Sequence, residues 1–81
     1  MIAKYTISIK SNCPVDGRPD TYEAEITSSH PIAVEKIVEC VSEFCDQKIF
    51  QEEITERLAR ILSARVRTVG WHSGVRVEVV A

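Results

Sequence analysis

Cys13-Pro14-Val15-Asp16-Gly17-Arg18-Pro19-Asp20 is the stretch on which the reading of this 81-residue chain turns. Pro14 and Pro19 fix φ and remove two amide donors, so the stretch continues neither a helix nor a central strand. Asp16-Gly17 is a strong turn dipeptide, because glycine takes positive φ without steric cost. Before it, Tyr5, Ile7 and Ile9 alternate with Lys4, Thr6, Ser8 and Lys10; after it, Tyr22, Ala24 and Ile26 alternate with Thr21, Glu23, Glu25 and Thr27. Both runs carry the period of two of a half-buried strand. A stiff turn between two such runs predicts an antiparallel hairpin with the proline-rich loop at its tip.

Beyond the hairpin the period changes. Ser28-Ser29-His30-Pro31 reads as a helix entry, with a serine cap and a proline in the first turn. Val34, Ile37, Val38, Val41, Phe44 and Cys45 recur at helical spacing, and after Asp46-Gln47-Lys48 a second stripe runs through Ile49, Phe50, Ile54, Leu58, Ile61 and Leu62. Acids lead and bases follow on the second helix, and Glu53–Arg57 and Glu56–Arg60 are i,i+4 pairs in the favourable order. Alternation then returns. Val66 and Thr68 face one way, Arg65 and Arg67 the other; Gly70-Trp71-His72-Ser73-Gly74 reads as a turn, and Val75, Val77 and Val79 alternate with Arg76 and Glu78.

The expected order is therefore β-β-α-α-β-β in a single domain over residues 1–81. It is an α+β fold, a four-stranded antiparallel sheet with two helices on one face. The other face carries Thr6, Ser8, Lys10, Glu23, Glu25, Thr27, Arg65, Arg67, Arg76 and Glu78, too polar for a second core. With open edges, such a sheet either joins neighbouring subunits into a closed barrel with a polar lumen or stands alone with that face in water.

Composition narrows the function classes. A formal charge of -2 argues against broad electrostatic gripping of nucleic acid, while leaving recognition of one base in a pocket open. No apolar run reaches the length of a membrane span, and no signal-peptide pattern opens the chain. An odd number of cysteines without close pairing suits a reducing cytoplasm.

The chemistry concentrates at the ends of the opening loop, a thiol and a carboxyl. A thiolate is a nucleophile, and a neighbouring carboxyl can manage the proton its target requires. The plainer reading is that Cys13 packs as a small hydrophobe and Asp20 caps a turn. Elsewhere the signals are few. His30 and His72 stand apart with no ligand spacing around them, which predicts no metal site. Cys40 and Cys45 fall on or near the apolar stripe of the first helix and read as core. No glycine-rich loop offers a phosphate cradle. Trp71 either stacks on a ligand or covers the sheet end.

Cys13-Pro14 with Pro19-Asp20 resembles the cysteine–aspartate motif of the QueF nitrile reductases, tunnel-fold enzymes acting on 7-cyano-7-deazaguanine. The resemblance implies the β-β-α-α-β-β tunnel fold over nearly the whole chain, with Cys13 attacking the nitrile and Asp20 handling the proton. Phe50-Gln51-Glu52-Glu53 is similar to the segment, Phe-His-Glu in that family, that holds the base. It implies Glu52 as the base-binding carboxylate, with Gln51 standing where the family has histidine. Along Val34-Glu35-Lys36-Ile37-Val38-Glu39 the family's Glu-Ser-Lys-rich segment, associated with NADPH, keeps Glu35 as a substrate-side residue but loses its serine and lysine.

That loss, the short chain and the ending Gly74-Val75-Arg76-Val77-Glu78-Val79-Val80 look more like the QueF-like amidinotransferases. These turn the nitrile of the same base into a formamidine without reduction, as in archaeosine-type 7-deazaguanine synthesis. The resemblance then implies catalysis by Cys13 and Asp20 through a covalent thioimide. It implies substrate contacts at Glu52, Glu35 and Gln51, and ammonia or an amine as nitrogen donor. No cofactor is expected, NADPH entering only if the chain is a reductase. The base is free or carried in tRNA or DNA, and the implied assembly is a homo-oligomer, a decamer of two stacked pentamers. A nitrile reductase of queuosine synthesis and a non-enzymatic oligomeric binding module are the alternatives.

Overall fold

The computed structural model describes residues 1–81. Its elements are β1 (Ala3–Asn12), β2 (Pro19–Ser28), α1 (Val34–Ser42), α2 (Gln51–Leu62), β3 (Arg65–His72) and β4 (Val75–Val80). They form one antiparallel sheet in the order β1-β2-β3-β4. The expected element order and hairpin are both present. Pairing extends the hairpin past its alternating core, from Ala3 opposite Ser28 to Asn12 opposite Pro19, so the proline-rich loop sits at the tip.

The alternation sorts the strands into two faces. Ile9, Tyr22, Ala24, Ile26 and Val66 pack inward against Ile37, Val41, Phe44, Ile49, Ile54, Leu58 and Leu62. Helix α1 lies over β1, and α2 over β3 and β4. The outward face holds the expected polar residues, and Val69, Trp71 and Val80 join them there. A shallow groove of about 500 Å³ runs across this face, lined by Ser8, Thr21, Glu23, Arg67, Trp71 and Arg76 among others. Arg67 and Glu78 form an ion pair across β3 and β4. No helix is long and apolar enough to cross a membrane.

Four local readings change. Ser28 is not a helix cap: its hydroxyl accepts from the His30 amide at 3.1 Å and donates to the His30 carbonyl at 2.7 Å. A serine that can satisfy nearby backbone groups favours such a turn over a helix start. Helix α1 instead begins after Ala33 with no side-chain cap. On α1 only part of the apolar stripe is covered. Ile37 and Val41 are buried, whereas Val34 and Val38 face outward; the helix ends at Ser42, and of the two stripe residues beyond it Phe44 is buried and Cys45 exposed. Phe50 and Ile61, read into the second stripe, are also exposed. Of the two charge pairs on α2, Glu53–Arg57 closes at 3.4 Å, and Glu56–Arg60 does not form.

The fourth change bears on the site. Gly70, Trp71 and His72 belong to β3, and only Ser73-Gly74 turns the chain. Both turn residues take positive φ, 51° and 82°, the pattern of the two-residue hairpin turn whose twist matches its strands. Gly70 stands directly opposite Tyr22, and a Cβ there would run into the tyrosine ring. The glycine makes room for a large ring, and that ring leads to the loop.

Candidate active site

Cys13 begins the tip loop at the end of β1. Its amide donates to the Arg18 carbonyl at 2.7 Å, and its own carbonyl accepts from Gly17 at 2.8 Å. Gly17 takes a φ of 75°, the value its turn requires. The Arg18 amide donates to Asp16 Oδ1 at 2.9 Å. That bond is the main reason the Asp16 carboxyl lies below its ordinary range, with the Cys13 thiol adding a smaller contribution. The Cys13 thiol is half-buried, and no cysteine is in a disulfide. Burial, followed by the charge on Glu43, pushes the Cys40 thiol up and away from thiolate.

A second set of bonds ties this loop to the approach to α2. The Asn12 amide donates to the Gln47 carbonyl at 2.7 Å, the Ile49 amide to the Asn12 carbonyl at 3.2 Å, and Asn12 Nδ2 to the Asp46 carbonyl at 3.2 Å. The residue before Cys13 is thus fastened to the segment that enters α2.

Asp20 lies across the hairpin, opposite Ser11, and is half-buried. The Tyr22 hydroxyl, on the same face of β2, donates to Asp20 Oδ2 at 3.2 Å. Burial, then the charge of Asp20 and the hydrogen bond to it, raise the Tyr22 pKa well above its ordinary value. The phenol therefore keeps its proton, and remains a donor, at every ordinary pH. Ser11 Oγ is fully buried and has no partner of good hydrogen-bond geometry, although it lies beside the Tyr22 hydroxyl. It is the one buried side-chain polar atom in the chain so placed.

Gln51, the first residue of α2, is 2 % exposed. Its Nε2 donates to the Thr68 and Val77 carbonyls at 3.2 and 3.1 Å and lies 3.1 Å from Thr68 Oγ1. Two carbonyl acceptors fix the amide nitrogen on the sheet side, so Oε1 is the acceptor facing His72 Nε2 at 2.9 Å. His72 then carries a hydrogen on Nε2, which donates to Gln51 Oε1. The neighbouring hydroxyls complete the network: Thr55 donates to the Gln51 carbonyl at 2.7 Å and meets Thr68 Oγ1 at 2.7 Å. The His72 ring packs against the Tyr22 ring, centroids 5.6 Å apart and tilted 42°.

The structure brings Cys13 and Asp20 to one end of the sheet and connects Gln51 to that end through His72 and Tyr22. Glu52 is exposed at the N-terminus of α2, without an ion pair or hydrogen bond, where the helix dipole favours a carboxylate. Glu35 is exposed in the first turn of α1, and no contact joins it to Cys13, Asp20 or Glu52. The groove on the outward sheet face includes Tyr22 but none of Cys13, Asp20, Gln51, Glu52, Glu35 or His72. His72, expected to stand alone, and Tyr22, expected as core, are the members that sequence reasoning missed. The signal available was that Asp20 and Tyr22, two apart on one strand, share a face. No group of three or more His, Cys, Asp or Glu residues is placed to hold a metal ion.

No protein-family model matches the sequence, and no curated protein matches it either. Among solved structures the chain is similar to the archaeosine synthase QueF-Like, crystallised in the apo form. The likeness has a TM-score of 0.85 and 22% identity, and covers 99% of this chain and 90% of that one. Identity at that level speaks to architecture. The chain has the tunnel fold.

Proposed function

We propose that this chain is a QueF-like amidinotransferase that captures the nitrile of 7-cyano-7-deazaguanine on Cys13 as a thioimide. One observation carries the reading: a half-buried thiol at the neck of a closed loop shares one end of the sheet with a carboxyl held by a tyrosine. The shared fold with an archaeosine synthase supports it. In the first step the Cys13 thiolate adds to the nitrile carbon. A C–S bond forms, one π pair of the C≡N bond moves to nitrogen, and Asp20 delivers the proton that nitrogen takes up. Ammonia then adds to the thioimide carbon and expels the thiolate, and the proton it gives up returns to Asp20, which leaves a formamidine and restores the starting thiolate and acid. Nothing is oxidised or reduced.

Glu52 is the carboxylate for the guanine-like edge of the base, its two oxygens accepting from the ring amide and the exocyclic amine. Gln51 acts from behind it, its own amide engaged by Thr68, Val77 and His72. Glu35 and Glu52, both exposed, serve a base bound between subunits. The open strands β1 and β4 are the edges along which a barrel closes, toward the decamer of stacked pentamers. Light scattering on the active protein is expected to return an oligomer. A fully active 9.1 kDa monomer removes the assembly from the proposal.

Turnover without NADPH follows from the charges on α1. A dinucleotide needs several positioned donors for its phosphates. The helix offers Lys36 alone, between the exposed Glu35 and Glu39, which repel phosphate. The thioimide is expected to persist with NADPH present and to turn over with ammonia, giving the formamidine by mass spectrometry. An aminomethyl product, with two NADPH consumed per base, assigns the chain to the reductases instead. In the same assay Asp20→Asn slows adduct formation far more than it weakens binding, and Glu52→Ala raises the dissociation constant about tenfold or more. Unchanged values for both variants remove these two carboxylates from the site.

A further inference from the structure

We infer that Tyr22 is the positioning residue for Asp20 in thioimide formation, braced from behind by His72 and Gln51. The inference rests on the functional reading above and gives Tyr22, His72 and Gln51 a common task in it. Its anchor is the 3.2 Å bond from the Tyr22 hydroxyl to Asp20 Oδ2.

Sheet register makes this arrangement specific. Tyr22 faces Gly70 across β2 and β3, and the missing Cβ leaves the space its ring occupies. Continuing the same register along the two strands sets His72 across from Asp20, on the face that also carries Ser11 and Tyr22. His72 packs on the Tyr22 ring from that side, and its orientation is fixed by the Gln51 side-chain Oε1. Gln51 is in turn held by two backbone carbonyls of β3 and β4. A bonded and packed path therefore runs from the rigid helix–sheet interface to the carboxyl at the loop. Without it, Asp20 at the start of β2 has no other side-chain hydrogen bond to set its direction.

A carboxyl that gives its proton to a nascent nitrile nitrogen must present one oxygen to the substrate throughout the step. Tyr22 occupies Oδ2 as a permanent donor and leaves Oδ1 for that task. Ser11 Oγ lies buried beside the same hydroxyl without a hydrogen-bond partner of good geometry.

Tyr22→Phe tests the assignment, since it keeps the ring over Gly70 and against His72 and removes only the hydroxyl. Adduct formation is followed by intact mass against concentration of 7-cyano-7-deazaguanine, with non-covalent affinity measured by calorimetry in a Cys13→Ala background. The expected result is a maximal adduct rate lowered about ten- to a hundredfold, with unchanged affinity and an unchanged melting temperature. A wild-type rate in Tyr22→Phe overturns the inference, as does a slower rate matched by an equal loss of affinity. If the wild-type protein itself forms no adduct, the functional reading fails first and the inference falls with it.

Discussion

Cys13→Ala is expected to abolish covalent capture of 7-cyano-7-deazaguanine, with no mass added to the intact protein at any concentration of base. The argument is one of position and of thiol chemistry. Cys13 stands half-buried at the neck of a loop closed by the Arg18 carbonyl and the Gly17 amide, at the same end of the sheet as Asp20. The other two thiols lack that setting. Cys40 is pushed up by burial and by Glu43, so it holds its proton, and Cys45 is exposed just beyond α1 with no acid of the site beside it. Cys40→Ala and Cys45→Ala therefore retain capture. Cys40→Ala costs some stability, because its side chain packs against the core, and Cys45→Ala costs little. Peptide mapping of the adduct to Cys40 or Cys45 refutes the assignment of the nucleophile.

Gly70→Val is expected to have the largest effect on stability of any change near the site. The Tyr22 ring fills the space over Gly70, with Cε1 2.6 Å from where a Cβ would stand and Cδ1 nearer still. Real Cβ atoms do not approach so closely, so the ring or the strand must move. Tyr22 is 2 % exposed and enclosed by the core, which leaves no free direction for it. Overpacking of this kind costs about 1–3 kcal/mol, and in a domain of this size each kcal/mol lowers Tm by about 4–8 °C. Function falls with it, because a displaced ring carries its hydroxyl away from Asp20 and its edge away from His72. Thermal unfolding and adduct kinetics on the same preparation read both losses. A variant with unchanged Tm and unchanged rate shows that the ring does not need that space.

The hairpin was legible because two independent signals agree: period-two alternation on both sides, and a loop whose prolines and Asp16-Gly17 can only turn. Its register carries Asn12 to Pro19, which already places Cys13 and Asp20 at the two sides of the tip. The helices were legible as stripes but not at their starts. Ser28 satisfies local backbone in a turn as readily as at a cap, and nothing in the residue types separates the two outcomes. The turn read over residues 70–74 failed for a tertiary reason. Gly70 lies in a strand because Tyr22 needs its vacancy, and that need is visible only once β2 and β3 are paired. The connection from Gln51 through His72 to Tyr22 was hidden for the same reason, its members being distant in sequence and joined by a register that alternation does not determine.

The fastening of Asn12 to residues 46–49 bears on how this protein can change over generations. Its two main-chain bonds, with one asparagine amide beside them, set how far Cys13 stands from the start of α2. Main-chain bonds are indifferent to side-chain identity. Val15, Arg18, Gln47 and Lys48, all around that clamp, can therefore drift without altering the spacing between Cys13 and the start of α2. To keep that spacing, selection needs to hold only Asn12 and the turn-forming Gly17 beside Cys13 and Asp20. A sequence can wander far from its relatives on such terms while the geometry of its chemistry stays where it was.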